Sequence, residues 1–283
     1  MLVHFRKIIE KTKRALGAFD TFNFEITRGI IEGAVQEKSS IIVQITPKTM
    51  EYAGTETITQ IIKSIADNQG RGIEIALHLD HGRTLEEVKQ CIALGFSSVM
   101  IDASNKSFKD NIRLTKEAVK YAHHHNVFVQ AELGVVGRGK KDYQKMILSP
   151  EEFLTDPDQA QEFVKKTKVD TLAIAIGNVH GHYKMEKGAP KLFLSVLEEI
   201  KKKIDIPLVL HGASGIAAGQ IKQAINLGIK IINIDTEIRM AFKKALKKSL
   251  KDQKKELDPR KILAPTIEEV KKVVRNKIKI FNQ

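Results

Sequence analysis

Short apolar runs alternate with amphipathic stretches eight times along this chain, and no linker or low-complexity segment interrupts the series. Such alternation predicts a parallel sheet, because each strand must be followed by a crossover before the next strand can pair with it in parallel. The predicted strands cover residues 17–20, 41–46, 74–80, 98–102, 127–133, 171–177, 207–211 and 230–235. The predicted helices cover residues 25–36, 57–66, 85–93, 110–123, 158–166, 192–203 and 217–226.

Eight strand–helix units within 283 residues favour closure into a (β/α)8 TIM barrel, which typically needs ~250 residues. We therefore expect residues 1–283 to form a single α/β barrel domain, with additional C-terminal helices over residues 236–251 and after Pro265. An open doubly wound sheet is the alternative. That fold is expected to carry a glycine-rich turn after its first strand, whereas residues 20–23 read Asp-Thr-Phe-Asn.

The composition limits the classes of protein to consider. A hydrophobic content of 42% supplies a packed core. The single cysteine, Cys91, cannot form an internal disulfide, which is typical of a reducing cytoplasm. The first 17 residues contain five basic side chains and no long apolar run, and no segment approaches the ~20 apolar residues of a membrane span. We therefore expect a cytoplasmic protein without a membrane partner.

The net charge of +13 raises the question of nucleic-acid binding. The basic residues are mostly lysines scattered over polar helix faces, and with no tryptophan and four tyrosines the chain supplies a poor stacking platform for bases. No known nucleic-acid-binding motif occurs. We therefore expect no specific nucleic-acid partner; binding to DNA that weakens steeply with salt is the alternative that the basic helices leave open. The charge favours anionic metabolites instead.

Metal-ligating residues collect at the ends of the predicted strands, which share one rim in a parallel barrel. The third strand ends at Asp80 and His81, the fifth ends at Glu132, the sixth leads to His180, and the seventh ends at His211. A single histidine at a strand end is more often a hydrogen-bonded structural residue. Three imidazoles on one rim, with an open coordination position, are a common catalytic zinc arrangement. The spacing between these histidines argues against a structural zinc knuckle.

Residues suited to phosphate binding follow the last two predicted strands. Residues 211–215 read His-Gly-Ala-Ser-Gly after the seventh strand, and Asn233, Asp235 and Thr236 end the eighth. Barrels commonly bind phosphate at this place through backbone N–H groups and a nearby helix N-terminus. A short Gly-Ser turn alone is weak evidence. Beside a predicted metal ligand, it indicates a phosphate pocket.

Taken together, these motifs resemble those of the class II, metal-dependent fructose-bisphosphate/tagatose-bisphosphate aldolases. The matching segments are Leu-His-Leu-Asp-His-Gly at 77–82, Ala-Glu-Leu-Gly at 131–134, Ala-Ile-Gly at 175–177 with His-Gly at 180–181, Val-Leu-His-Gly-Ala-Ser-Gly at 209–215, Asn-Ile-Asp-Thr at 233–236 and Asp-Pro-Arg at 258–260. They run in the expected order almost from end to end. The resemblance implies a TIM-barrel lyase of carbohydrate metabolism.

The resemblance also implies a role for each matching residue. His81, His180 and His211 match the metal ligands, and Asp80 matches the acid–base residue that handles the proton of the C4 hydroxyl. Glu132 matches a carboxylate beside the metal, which we count both as a ligand and as a catalytic group. The residues that match substrate and phosphate contacts are Thr46, Gly181, Lys184, Gly212, Ser214, Asn233, Asp235, Thr236 and Arg260, of which the last meets the distal phosphate.

The implied cofactor is Zn²⁺, or another divalent metal such as Co²⁺ or Fe²⁺, because imidazole accepts all three. A monovalent cation, Na⁺ or K⁺, lies in the phosphate pocket of relatives. The implied partners are a phosphorylated sugar and further copies of the chain, as a homodimer or homotetramer.

The predicted reaction is the reversible cleavage of fructose 1,6-bisphosphate into dihydroxyacetone phosphate and glyceraldehyde 3-phosphate. The metal stabilises the negative charge left on the three-carbon fragment, and a positioned carboxylate adds roughly 10² to 10⁴ in rate. Tagatose 1,6-bisphosphate or another ketose phosphate is the alternative substrate. Asp235 favours fructose, whereas Thr-Glu-Ile-Arg at 236–239 and the short chain favour the tagatose type.

Three residues depart from the family's pattern. Lys140 stands where relatives carry a glutamate that exchanges the proton of the three-carbon fragment, Asp20 stands where asparagine is usual, and Asn105 stands where many relatives have histidine. A lysine cannot replace a carboxylate base unless its pKa falls well below ~10.4. Asp142 is the substitute on the same loop. A homologue that binds metal and phosphate with impaired turnover is therefore a further hypothesis.

Overall fold

The computed structural model describes residues 1–181 and 191–283, and eight of its strands form a closed parallel barrel. These strands are β1 (Leu16–Asp20), β2 (Ile41–Ile45), β3 (Ile75–Gly82), β4 (Ser98–Ile101), β5 (Phe128–Leu133), β7 (Thr171–Ile174), β9 (Leu208–Leu210) and β10 (Ile229–Ile234). Their order around the barrel is β1-β10-β9-β7-β5-β4-β3-β2. The predicted TIM barrel is thus confirmed. Two further short strands, β6 (Gly137–Arg138) and β8 (Val179–His180), pair with each other outside the barrel.

Helices follow the barrel strands and surround the sheet. They are α1 (Phe5–Lys11), α2 (Phe24–Gln36), α3 (Pro47–Ala53), α4 (Thr55–Gln69), α5 (Leu85–Ala93), α6 (Phe108–His124), α7 (Gly139–Leu148), α8 (Pro157–Thr167), α9 (Leu194–Lys203), α10 (Ala218–Asn226), α11 (Thr236–Asp252) and α12 (Pro259–Phe281), with a short 3₁₀ turn at Pro150–Glu152. Several begin at a side-chain cap: Thr84, for example, forms a capping box with Glu87 at the start of α5. None of the described helices has the length and apolar character needed to cross a bilayer.

The last helix begins earlier than the sequence predicts. We expected it after Pro265, but α12 starts at Pro259, where the side chain of Asp258 accepts a hydrogen bond from the backbone N–H of Arg260. A proline at the first helical position costs little, because its missing N–H has no partner within the helix in any case. Pro265 therefore lies inside the helix, whose buried face beyond it includes Val270 and Val274. Packing of this face outweighs the single backbone hydrogen bond that Pro265 removes.

The barrel interior changes from apolar to polar along the strands. At the N-terminal end, α1 closes the barrel with Phe5 and Ile8, which join one buried apolar cluster with Leu16, Ala18, Ile42, Ala76, Ala173, Val209 and Ile231. Toward the C-terminal end, the buried side chains are Asp20, Gln44, His78, Asp80, Gln130, Glu132, His211 and Asn233. Burying this many polar groups is costly without partners. The polar end of the barrel is therefore the candidate functional site.

Candidate metal centre

His81 lies at the end of β3 in a strained, fixed position. Its backbone φ is +51°, in the left-handed region that β-carbon-bearing residues rarely adopt. Its Nδ1 lies 2.6 Å from Oδ2 of Asp102, which follows β4 and also accepts hydrogen bonds from Ser104. A carboxylate on Nδ1 fixes the tautomer and the orientation of the imidazole. His81 therefore presents Nε2 to the interior of the site.

His211 follows β9 and is completely buried. Its Nδ1 lies 2.9 Å from Oε2 of Glu132 on β5, and its Nε2 lies 2.9 Å from the amide nitrogen of Gln130. The contact with Glu132 is an ion-pair distance without hydrogen-bond geometry, so Oε2 of Glu132 and Nδ1 of His211 are both buried and have no hydrogen-bond partner among the residues that the structure describes. Because Nε2 of His211 already meets Gln130, Nδ1 is the ring nitrogen of His211 that lacks a hydrogen-bond partner in this part of the chain.

His180, on β8, is brought to the other two histidines by a close approach of backbone. A β-carbon on Gly212 would lie 2.6 Å from the carbonyl oxygen of Val179, so only glycine allows the segments that carry His180 and His211 to pass this closely. Ring centroids lie 4.8 Å apart for His81 and His211, 5.3 Å for His81 and His180, and 6.2 Å for His180 and His211. One nitrogen of each ring lies within 4.8 Å of the others. This donor set fits a divalent metal ion.

A second group of ligand atoms shares His81. One atom each of His81, Asp102 and Glu132 also lie within 4.8 Å of one another. Sequence reasoning did not select Asp102 as a site residue. Its only signal was an acidic residue at the end of a predicted strand, which became informative once the barrel placed it against His81.

Asp80 lies between the histidines and the β10 side of the barrel. Its Oδ1 accepts a hydrogen bond from Nδ2 of Asn233 at 3.2 Å and lies 3.9 Å from Nε2 of His211. Its Oδ2 lies 3.9 Å from Nε2 of His81. The carboxylate is buried and is oriented by an amide, so it is well placed to accept a proton from a group bound at the histidines.

Carboxylates dominate the electrostatics of the site. Burial lowers the pKa of His81, but the charge of Asp80, the hydrogen bond to Asp102 and the charge of Glu132 together raise it to about 10. Burial also raises the pKa of Asp102, yet the contact with His81 holds it well below its usual range. The surrounding carboxylates therefore favour a positive charge at His81, whether a proton or a metal ion.

Two further carboxyl groups, Asp20 and Asp235, form the β1–β10 wall of the site. Burial, followed by the charges of Asp80 and Asp235, raises the pKa of Asp20 well above its usual value. Burial and the charge of Asp80 raise the pKa of Asp235 despite its contact with Arg239. Asp20 accepts a hydrogen bond from Gln44 at 3.1 Å. The raised pKa values mean that Asp20 and Asp235 themselves hold protons more readily than ordinary carboxylates do.

The predicted phosphate-binding residues line the loops around α11. Ser214 is buried, and its Oγ accepts from the backbone N–H of Glu237 at 3.5 Å. The N–H of Gly215 donates to Oε1 of Glu237 at 2.7 Å. Thr236 is the first residue of α11 and directly follows Asp235. The loop after β9 therefore meets a helix N-terminus, as phosphate pockets in barrels require.

The other predicted substrate contacts lie on several loops, and one lies outside the described ranges. Thr46 follows β2 and caps α3, accepting from the N–H of Thr49. Gly181 directly follows His180 with φ +108°, and Lys184 lies outside the described residues. Arg260 is 88% exposed and bonds to Asp258 through a fork of hydrogen bonds at 2.9–3.2 Å. Lys140 lies in α7, just after the strand that pairs with β8.

Comparison with known proteins agrees with this geometry. The family model for class II fructose-bisphosphate aldolase matches residues 3–283. A fructose-bisphosphate aldolase of Geobacillus stearothermophilus is 39% identical over 284 residues, covering 99% of this chain and 96% of that protein. A fructose-bisphosphate aldolase of Staphylococcus aureus strain Mu50 is 40% identical over 268 residues, covering 94% and 91%.

Solved structures show the same fold. The crystal structure of the YdjI aldolase from Escherichia coli K12 aligns with a TM-score of 0.82 and 33% identity, over 99% of this chain and 97% of that one. A putative fructose-1,6-bisphosphate aldolase from Coccidioides immitis aligns with a TM-score of 0.82 and 26% identity, over 98% and 94%. The chain belongs to the class II fructose-bisphosphate aldolases, a family of metal-dependent lyases.

Proposed function

We propose that the protein catalyses the reversible cleavage of fructose 1,6-bisphosphate into dihydroxyacetone phosphate and glyceraldehyde 3-phosphate. The observation that carries this proposal is the convergence of three imidazoles within 4.8 Å next to the buried carboxylate of Asp80. The names of the relatives at 39–40% identity support the same substrate. The setting that we propose is cytoplasmic glycolysis, with the chain acting as a homodimer or homotetramer.

The residues that would hold the metal are His81, His180 and His211. A divalent ion there, with Zn²⁺ as the first choice and Co²⁺ or Fe²⁺ as alternatives, supplies electrophilic stabilisation of the negative charge left on the three-carbon fragment. Asp102 orients the ring of His81 through Nδ1. Within the described ranges, Oε2 of Glu132 and Nδ1 of His211 are buried without hydrogen-bond partners, which supports both as electron-pair donors to the ion.

Asp80 would take the proton from the C4 hydroxyl as the C3–C4 bond breaks, and return it in the aldol direction. Asn233 holds Oδ1 of this carboxylate at 3.2 Å, which keeps the base aimed toward the histidines. The three-carbon fragment would bind its phosphate at Gly181, Lys184, Gly212, Ser214, Asn233, Asp235 and Thr236, with a monovalent cation beside it. Thr46 and Arg260 are proposed contacts of the other end of the sugar.

The test is a comparison of fructose 1,6-bisphosphate with tagatose 1,6-bisphosphate on the native protein and on Asp80→Asn. We expect the native protein to prefer the fructose epimer. The asparagine variant should lose roughly 10² to 10⁴ in kcat while retaining its bound metal, because it removes a proton acceptor and no ligand. A preference for tagatose would replace the substrate that we propose. Full activity of Asp80→Asn would overturn the role of Asp80.

Impaired turnover is a second candidate, and the residue at position 140 favours it. A protonated lysine there cannot accept the proton that a carboxylate would accept. The nearest acid in sequence on this loop is Asp142. Lys140→Glu tests the matter directly. A rise of tenfold or more in kcat would show that the native chain is slow because this base is missing. An unchanged or lower kcat would show that another group transfers the second proton.

A further inference from the structure

Asn178 lies in the loop between β7 and β8, two residues before His180, and its side chain is buried. Its Oδ1 accepts a hydrogen bond from the backbone N–H of Ile176 at 2.7 Å. Its Nδ2 donates to two backbone carbonyl oxygens, that of Ile174 at 3.3 Å and that of His211 at 3.1 Å. Both ends of the amide are therefore hydrogen-bonded inside the protein, and all three contacts are to backbone.

The two bonds from Nδ2 join the segments that carry two of the three histidines. Parallel pairing of β7 with β9 ends at Ala173 and Val209, before either segment reaches its histidine. Beyond this point, Asn178 bonds the carbonyl of Ile174, the last residue of β7, and the carbonyl of His211, which follows β9. The side chain thus extends the connection between the two segments past the last strand pair.

A steric contact limits the same pair of segments from the other direction. Because a β-carbon on Gly212 would lie 2.6 Å from the carbonyl oxygen of Val179, the backbones already pass at their closest approach. This contact prevents the segments that carry His180 and His211 from moving closer together. The hydrogen bonds of Asn178 oppose their separation. Together, the two features hold the rings of His180 and His211 with their centroids 6.2 Å apart.

We propose that Asn178 is a positioning residue of the metal centre, and that its Nδ2 sets the separation of His180 and His211. The proposal rests on the metal site of the function proposed above, and it adds to that site a residue that does not touch the ion. His81 has its own orienting partner in Asp102, so Asn178 acts on the other two ligands. Removing Nδ2 takes a donor from two buried carbonyl groups and releases the tie between the segments.

The bond from Ile176 has a separate, local meaning. An asparagine oxygen that accepts from a neighbouring backbone N–H stabilises a turn within one loop, and an aspartate oxygen does the same. The two bonds from Nδ2 need the amide, because a carboxylate has no hydrogen to donate. Asn178→Asp therefore keeps the turn at Ile176 and places an oxygen against the carbonyl oxygens of Ile174 and His211. Asn178→Ala removes all three bonds.

The test measures metal binding by two methods. Competition with a chromophoric chelator gives the affinity for Zn²⁺, and the visible spectrum of the Co²⁺-loaded protein reports the arrangement of the ligands. We expect Asn178→Asp and Asn178→Ala each to weaken Zn²⁺ binding about 10- to 100-fold, as misplaced ligands do. The Co²⁺ spectrum of both variants should differ from that of the native protein, because the histidines no longer hold the same geometry.

Ser249→Ala is the matched control for a general loss of stability. Ser249 is also buried, and its Oγ donates to the carbonyl oxygen of Ile262 at 2.8 Å, which joins α11 to α12. Urea unfolding of the metal-free protein should show a loss of stability in this variant. Its Zn²⁺ affinity and Co²⁺ spectrum should match those of the native protein. If Asn178→Ala does not fold, Asn178→Asp, which keeps the local turn, carries the test.

The outcomes distinguish this proposal from the proposed function. A native protein that binds neither Zn²⁺ nor Co²⁺ overturns the metal site and the role of Asn178 with it. A native protein that binds both, with unchanged affinity and spectrum in the two Asn178 variants, overturns the role of Asn178 alone. A native-like Asn178→Asp beside an impaired Asn178→Ala would also overturn it, because the turn at Ile176 would then be the contact that matters.

Discussion

The contact between Asp102 and His81 shows how one side chain can set the geometry of the whole centre. The backbone of His81 is strained, because its φ of +51° lies in the left-handed region. The 2.6 Å contact between its Nδ1 and Asp102 keeps the ring in place. Histidines can be recognised in a sequence by their residue type. An orienting partner such as Asp102 cannot, because it reaches His81 from a neighbouring strand and that pairing is known only once the barrel closes.

We expect Asp102→Asn to weaken metal binding about 10- to 100-fold, because an amide no longer fixes the ring of His81 as a charged acceptor does. Competition with a chromophoric chelator measures this affinity. The matched control is Asp170→Asn, which alters another Asp–His pair, with His123 at 2.9 Å, at the start of β7. Equal metal affinity in Asp102→Asn and the native protein would contradict the orienting role.

His78 lies on the same strand as Asp80 but belongs to the packed interior. Burial lowers its pKa to about 4, and its Nδ1 lies 2.9 Å from Oγ of Ser98. In the unfolded chain the pKa of this histidine is near 6.5. Between pH 6.5 and pH 4, His78 is therefore protonated in the unfolded protein but neutral in the folded protein. This histidine therefore lowers the free energy of unfolding as the pH falls, by about 1.4 kcal/mol per unit within that window.

Urea unfolding of the metal-free protein at pH 7 and pH 5 checks this linkage. His78→Gln should lose less stability than the native protein over that interval, whereas the exposed control His124→Gln should follow the native protein. Identical losses in His78→Gln and the native protein would show that His78 is not the group responsible.

At the scale of elements, hydrophobic alternation was sufficient to predict all eight barrel strands and most of the helices between them. The prediction for α5, residues 85–93, has the observed bounds. It did not predict α1, α3, α7, the early start of α12, or the pairing of β6 with β8. Each depends on a contact distant in sequence or on a local cap, so hydrophobic periodicity contains little information about it.

The packing of α12 on α2 gives a sharp test of the C-terminal elements. A β-carbon on Gly29 of α2 would lie 2.8 Å from Cβ of Val270 and 2.9 Å from the carbonyl oxygen of Ile267. The backbone oxygen cannot rotate away, so Gly29→Ala must separate the two helices. We expect a loss of about 1–3 kcal/mol in the free energy of unfolding, measured by urea denaturation.

Gly219→Ala is the control for this substitution, because a β-carbon on Gly219 in α10 would meet nothing within 4 Å. It should raise stability by up to about 1 kcal/mol through helix propensity. If Gly29→Ala were as stable as Gly219→Ala, the close packing of α2 on α12 would be refuted.

For the whole molecule, the polarity of the barrel determines where chemistry takes place. The apolar end is closed by α1, and the polar end carries the histidines, the acidic wall and the loops for which we propose phosphate binding. The net charge of +13 favours anionic sugars at long range, while the acidic wall limits where their charges can lie inside. The sequence predicted the metal ligands as a group, whereas the arrangement of the wall and of Asn178 required the folded barrel.

The central claim is that the histidine cluster holds a metal on which sugar cleavage depends. The most direct measurement is the rate of fructose 1,6-bisphosphate cleavage after exhaustive chelation and again after one equivalent of Zn²⁺ per chain is restored. We expect the rate to fall to background and then to return, and expect no return in His211→Ala. Cleavage that persists in protein shown by elemental analysis to be free of metal would contradict the claim.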